Sequence, residues 1–157
     1  MEKLEEIYNK INNLNYLLDR KIELLNIILN ITENQKIVFE EKENDDTKPF
    51  INIALQEKQK LIDEIVSIDN MFISIFESFN GELNENKKFF KDDILNIKEK
   101  IQQITDIDFK IRLKEEKNKS IQERNINSIA TNIDKIKTLK VSKNHMLKKY
   151  MDNSKNI

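Results

Sequence analysis

Apolar residues recur along this chain with the period of a helix and not of a strand. Leu4, Ile11, Leu18 and Leu25 stand seven residues apart, interleaved with Ile7, Leu14 and Ile28. Steps of three and four residues put all of them on one helical stripe. The pattern predicts a first helix over residues 3–42. Its middle carries more apolar residues than one face can hold: Leu24, Leu25, Ile27, Ile28, Leu29 and Ile31. A helix that is apolar most of the way round has neighbours on two sides.

The stripe breaks at Glu43-Asn44-Asp45-Asp46-Thr47-Lys48-Pro49. Asp46 or Thr47 can accept hydrogen bonds from the free amides of a following helix. Pro49 suits a first turn, where the N–H it lacks would have no partner. A second helix is expected over 49–79, on Ile51, Leu55, Leu61, Ile62, Ile65, Ile68, Phe72, Ile75, Phe76 and Phe79. Asn80-Gly81 comes next as a stop and turn signal. A third helix is expected over 86–147, with Phe89, Phe90, Ile94, Ile97, Ile101 and Ile104 on one face. Around Thr105-Asp106-Ile107-Asp108 it either passes straight through or is capped anew, and a break within 105–120 would make a fourth helix. Residues 1–150 read as one domain and 151–157 as a frayed tail.

Register arithmetic favours hairpins. Folding the second helix back across Thr47 places Leu25 near Ile68 and Leu18 near Ile75. Folding the third back across Gly81 places Ile94 near Phe72 and Ile101 near Ile65. The expected fold is therefore all-α: a long antiparallel bundle of coiled-coil-like hairpins with three to four helices.

From Arg112 to Arg124 the only apolar residues are Leu113 and Ile121, a polar stretch expected to detach residues 125–157 from the three-helix core. Ile126, Ile129, Ile133 and Ile136 then restore a stripe with gaps of three, four and three, and Leu139 and Leu147 extend it. These six are the candidate partner-binding residues. Four isoleucines on one face are a liability unless a protein partner, a second copy forming a homodimer, or the chain itself covers them.

Composition narrows the picture. One Gly and one Pro in 157 residues leave little to make turns with, so the helices are long and few. With 35% charged and 7% aromatic residues, the profile is that of a long-helix protein. A formal net charge of −1 argues against a nucleic-acid binder, which needs a basic excess. No cysteine occurs, so disulfides and thiolate metal sites are excluded. The start, MEKLEEI, lacks the apolar core of a secretory signal. The densest apolar stretch, Leu24 to Ile31, is broken by Asn26 and Asn30 and is far too short to span a membrane. The expectation is a cytoplasmic protein without membrane insertion.

Candidate chemistry is sparse. His145, the one histidine, has no acid beside it in sequence to orient it as a base, and it reads as structural or surface. Asp92 and Asp93 are adjacent and so diverge on a helix. A single Gly cannot build a phosphate-cradling loop. Glu40 to Asp46 gathers acids without the alternating ligands and central Gly of a calcium loop. The expectation is no enzyme, with no catalytic residue, metal or cofactor. Lys135, Lys137, Lys140, Lys143, Lys148 and Lys149 make a basic helix end, but Tyr150 alone is too little aromatic surface for nucleic-acid stacking.

Three stretches carry a resemblance: Leu25-Asn26-Ile27-Ile28-Leu29-Asn30-Ile31-Thr32-Glu33-Asn34-Gln35; Lys58-Gln59-Lys60-Leu61-Ile62-Asp63-Glu64-Ile65-Val66-Ser67-Ile68-Asp69-Asn70-Met71-Phe72; and Glu123-Arg124-Asn125 with Lys135-Ile136-Lys137 and the lysines up to Tyr150. Together they resemble the FlgN family of flagellar type III export chaperones in its Gram-positive form. That resemblance implies a small cytoplasmic chaperone of bacterial flagellum assembly. Its protein clients would be hook-associated proteins, engaged by the C-terminal amphipathic helix. The alternative from the residues alone is a structural coiled-coil or homo-oligomeric helical protein with no chaperone role.

Overall fold

The computed structural model describes residues 2–40 and 48–124. Three long helices fill it: α1 (Glu2–Glu40), α2 (Lys48–Glu85) and α3 (Lys91–Arg124), with a short 3₁₀ turn, Lys87–Phe89, between the last two. No strand occurs among the described residues, so the all-α bundle expected from the hydrophobic period is what forms. α1 packs against both α2 and α3, which is why its middle is apolar on more than one face. Leu24, Leu25 and Ile28 are buried there, and Leu29 packs partly buried against the core.

The seam between the helices is built from heptad positions. Ile7, Ile11, Leu14, Leu18, Leu25 and Ile28 come from α1, and Ile51, Leu55, Ile62, Ile65, Phe72, Phe76, Phe79 and Leu83 from α2. α3 adds Phe90, Ile94, Ile97, Ile101, Ile104 and Ile111. Each such side chain contributes about 1.5–3 kcal/mol on burial, which offsets the middling helix propensity of so many Ile and Asn residues. At one end the rings of Phe72 and Phe76 stack at 6.4 Å, and Phe79 meets Phe76 edge-on at the same distance.

Gly81 does not end the second helix. α2 runs on to Glu85, because one more turn carries Leu83 into the seam, where it is buried. The stop is made by Asn86, whose side-chain amide donates to the carbonyl of Glu82 at 2.8 Å and whose backbone N–H donates to Leu83 at 3.1 Å. These bonds satisfy carbonyls that the helix end would otherwise leave open. Phe89 and Phe90 also part company. Phe90 is buried at the start of α3, where its carbonyl accepts from the N–H of Ile94 at 2.8 Å, while Phe89 sits in the 3₁₀ turn, 68% exposed. At 105–108 the third helix passes straight through, and Thr105 turns its hydroxyl back onto the carbonyl of Ile101 at 3.0 Å.

Moving the turn from Gly81 to Asn86 changes the register of α3. Folding across Gly81 would set Lys58 level with Asp108, but Lys58 faces Glu115 at 3.6 Å, two helical turns further on. The α1–α2 register stays close to expectation: Lys21 meets Asp69 and Lys58 meets Gln35, which puts Leu25 within a turn of Ile68. α1 and α3 run parallel, tied along one edge by Lys100–Asp19 at 2.9 Å and Lys114–Glu33 at 3.3 Å.

Candidate functional site

In this register the stretch from Arg112 to Arg124 does not detach from the core. It continues the seam with polar residues: Glu115, Asn118 and Gln122 succeed Ile111 at steps of four, three and four, and all three are buried. α1 answers with Thr32 and Gln35, and α2 with Lys58, each also buried. The apolar residues of the same stretch face elsewhere, Leu113 exposed and Ile121 half-buried. A search for apolar periodicity passes over this layer, because its members hold core positions without core chemistry. The signal that could have found it is the unbroken heptad phase from Ile97 through Ile104 and Ile111 to Asn118.

The layer is held by bonds between helices far apart in sequence. The Lys58 ammonium donates to Gln35 Oε1 at 2.5 Å and faces the Glu115 carboxylate at 3.6 Å, so it ties α2 to both other helices. Asn118 Nδ2 donates to the Thr32 carbonyl at 3.0 Å, while the Thr32 hydroxyl donates to the Ile28 carbonyl at 2.8 Å. The Gln122 amide oxygen and nitrogen, Gln35 Nε2 and Asn118 Oδ1 are buried with no hydrogen-bond partner among the described residues. Just outside, between α1 and α3, lies a cleft lined by Glu33, Lys36, Lys114 and Lys117.

A second polar group sits mid-bundle. Lys21 donates to Asp69 Oδ1 at 2.6 Å, with side-chain exposures of 1% and 0%. Asp108 on α3 is buried as well and pairs with Arg112 at 3.2 Å, and the Arg112 guanidinium lies over the Phe109 ring. Burying a charge is expensive unless a partner and hydrogen bonds go with it. Ammonium–carboxylate pairing of this kind fixes which turn of one helix meets which turn of the next, and it is a registering chemistry.

A third, exposed set marks the outer edge between α1 and α2. Arg20 donates to Glu64 Oε1 at 3.1 Å and pairs with Glu23 at 3.1 Å. These bonds, Glu64's first, hold the Arg20 guanidinium above the usual arginine value. Further along the same edge, Lys10 reaches Ser78 at 3.2 Å and lies over the Phe79 ring at 5.7 Å.

The six candidate partner-binding residues, Ile126, Ile129, Ile133, Ile136, Leu139 and Leu147, lie outside the described residues, as do His145 and the C-terminal lysines. Among the described residues no group of three or more His, Cys, Asp and Glu is placed to hold a metal ion, and no helix is long and apolar enough to cross a membrane. Comparison with protein-family models, with curated proteins and with solved structures finds no match to this chain.

Proposed function

We propose that this chain is a helical protein-binding module that works as a cytoplasmic chaperone of flagellar export, holding hook-associated proteins through its C-terminal stripe. One observation carries the reading. The seam of α1, α2 and α3 runs from Ile7 to Gln122 through residues of those three helices, and in the sequence just beyond it Ile126, Ile129, Ile133 and Ile136 recur at gaps of three, four and three. A stripe of that spacing suits packing against a helical segment of a client, as in helix-in-groove recognition. The identity of the client comes from the FlgN-like stretches alone, of which Thr32, Gln35, Lys58 and Asp69 now have interhelical roles as buried seam residues.

The test is a double change, Ile129→Asp with Ile133→Asp, in the full chain. Burial of four isoleucines supplies roughly 6–12 kcal/mol before ordering costs, so two buried aspartates should abolish client capture. Co-purification with hook-associated proteins is the readout, with circular dichroism as the check on folding. A variant that keeps its helices and loses the client supports the proposal. A variant that unfolds, or that loses only self-association, makes the stripe structural and sinks it.

A further inference from the structure

The apolar core of the bundle stops at one level on all three helices. Its last buried members are Ile28 on α1, Ile62 on α2 and Ile111 on α3. The Lys58–Gln35 and Lys58–Glu115 pairings place these three within a turn of one another. Beyond that level the helices are no longer alike. α1 and α2 stay joined directly through Lys58 and Gln35, and α2 keeps Ile51 and Leu55 buried. α3 changes character. From Ile94 to Ile111 every buried residue of α3 except Asp108 is apolar, and from Arg112 to Glu123 none is.

What ties this end of α3 to its neighbours is polar. Glu115 faces Lys58 at 3.6 Å, Asn118 donates to the Thr32 carbonyl at 3.0 Å, and Lys114 meets Glu33 at the surface. Such bonds largely replace bonds to water, so each contributes little net stability. The register set by Lys58–Glu115 brings Asn118 level with Leu55 and Gln122 level with Ile51, side chains that offer an amide no partner. Both amide atoms of Gln122, and the Asn118 oxygen, are buried without a hydrogen bond among the described residues. Unmet polar groups of this kind favour exposure to water.

We infer that Arg112–Arg124 is a releasable strap, which opens as one unit at the polar layer while α1, α2 and the rest of α3 stay folded. Opening exposes no apolar core, since the core cluster ends at Ile111. It lets water solvate the Lys58 ammonium and the Gln122 amide, and Gln35 still binds Lys58 across α1 and α2. Once off the bundle, so short and polar a segment does not hold a helix by itself, because isolated helices below ~12–15 residues are marginal in water. The released strap can extend from about 1.5 Å to about 3.3 Å per residue, which roughly doubles its span. Anything that binds only the open form draws the strap out by mass action. The client-binding reading concerns residues beyond Arg124, and the strap neither needs it nor depends on it.

Native-state hydrogen exchange on the full chain is the test. The amides of Glu116–Glu123 should share one level of protection, at least ~100-fold below that of the Ile101–Ile111 amides. The change should come as a step just after Ile111. Dilute urea should speed exchange in Ile101–Ile111 and barely alter it in the strap, because strap opening exposes little surface. A second measurement uses Glu115→Gln with Asn118→Ala, which weakens the tie to α2 and removes the tie to α1. Circular dichroism should lose the helix of the strap alone, with the Ile101–Ile111 amides still protected. Equal protection in the two stretches, or a smooth decline running from Arg124 past Ile111, overturns the inference. So does a double variant in which strap and core lose protection together, or one in which the strap keeps its full helix content.

Discussion

The Lys21 ammonium lies 2.6 Å from the Asp69 carboxylate, both side chains sealed from solvent in the middle of the seam between α1 and α2. Each is a heptad-phase core residue flanked along its helix by apolar ones, Leu18 and Leu25 beside Lys21, Ile65 and Phe72 beside Asp69. A slip of one helix by a turn would leave both charges facing hydrocarbon. The pair therefore opposes alternative registers that an all-apolar seam would tolerate.

Removing one partner should be far worse than removing both. Lys21→Met should lower the unfolding free energy by about 3–5 kcal/mol, because it leaves a buried carboxylate without its cation. Adding Asp69→Leu to that change should recover most of the loss. Urea titrations of the two single variants and the double variant give the coupling directly. If the double variant is as unstable as the sum of the singles, the pair does not act as a unit.

Gln122 makes the opposite prediction. Its amide is buried with neither end bonded among the described residues, so Gln122→Leu should stabilise the bundle by about 1–2 kcal/mol by removing an unmet polar group. Lys58→Met, in the same layer, should destabilise it, since Gln35 and Glu115 both lean on that ammonium. Thermal melts should therefore move in opposite directions for the two variants. A drop for both would mean that Gln122 is satisfied.

Gly81 sits inside α2, and a Cβ placed on it would meet nothing within 4 Å. Alanine there loses less backbone entropy on folding, so Gly81→Ala should stabilise by about 0.5–1 kcal/mol. The denaturation midpoint should rise with the slope unchanged. A fall would mean that the backbone at this position needs glycine after all.

The turns show where sequence reasoning stops. Asp46, Thr47 and Pro49 announce a break by their own local chemistry; Asp46 and Thr47 lie outside the described residues, and α2 is described from Lys48 onward. Gly81 announces one too, but Leu83 can reach the seam only if the helix continues, and its burial outweighs the modest cost of a mid-helix glycine. A local signal lost to a tertiary one. The same shift carried Glu115 alongside Lys58 and filled with polar residues a stretch that looked detached.

What the sequence determined by itself was the helical period, the overloaded middle of α1 and the apolar side of each helix, because these depend only on the order of residues along a single helix. Only the tertiary structure decided which charged residues are core. Lys58 and Lys60 are alike to any reading of propensity or hydropathy, yet Lys58 is buried and Lys60 exposed. Burial of an ammonium depends on a carboxylate and an amide arriving from Glu115 and Gln35. Those partners stand dozens of residues away along the chain, and only the position of the turn at Asn86 brings Glu115 alongside.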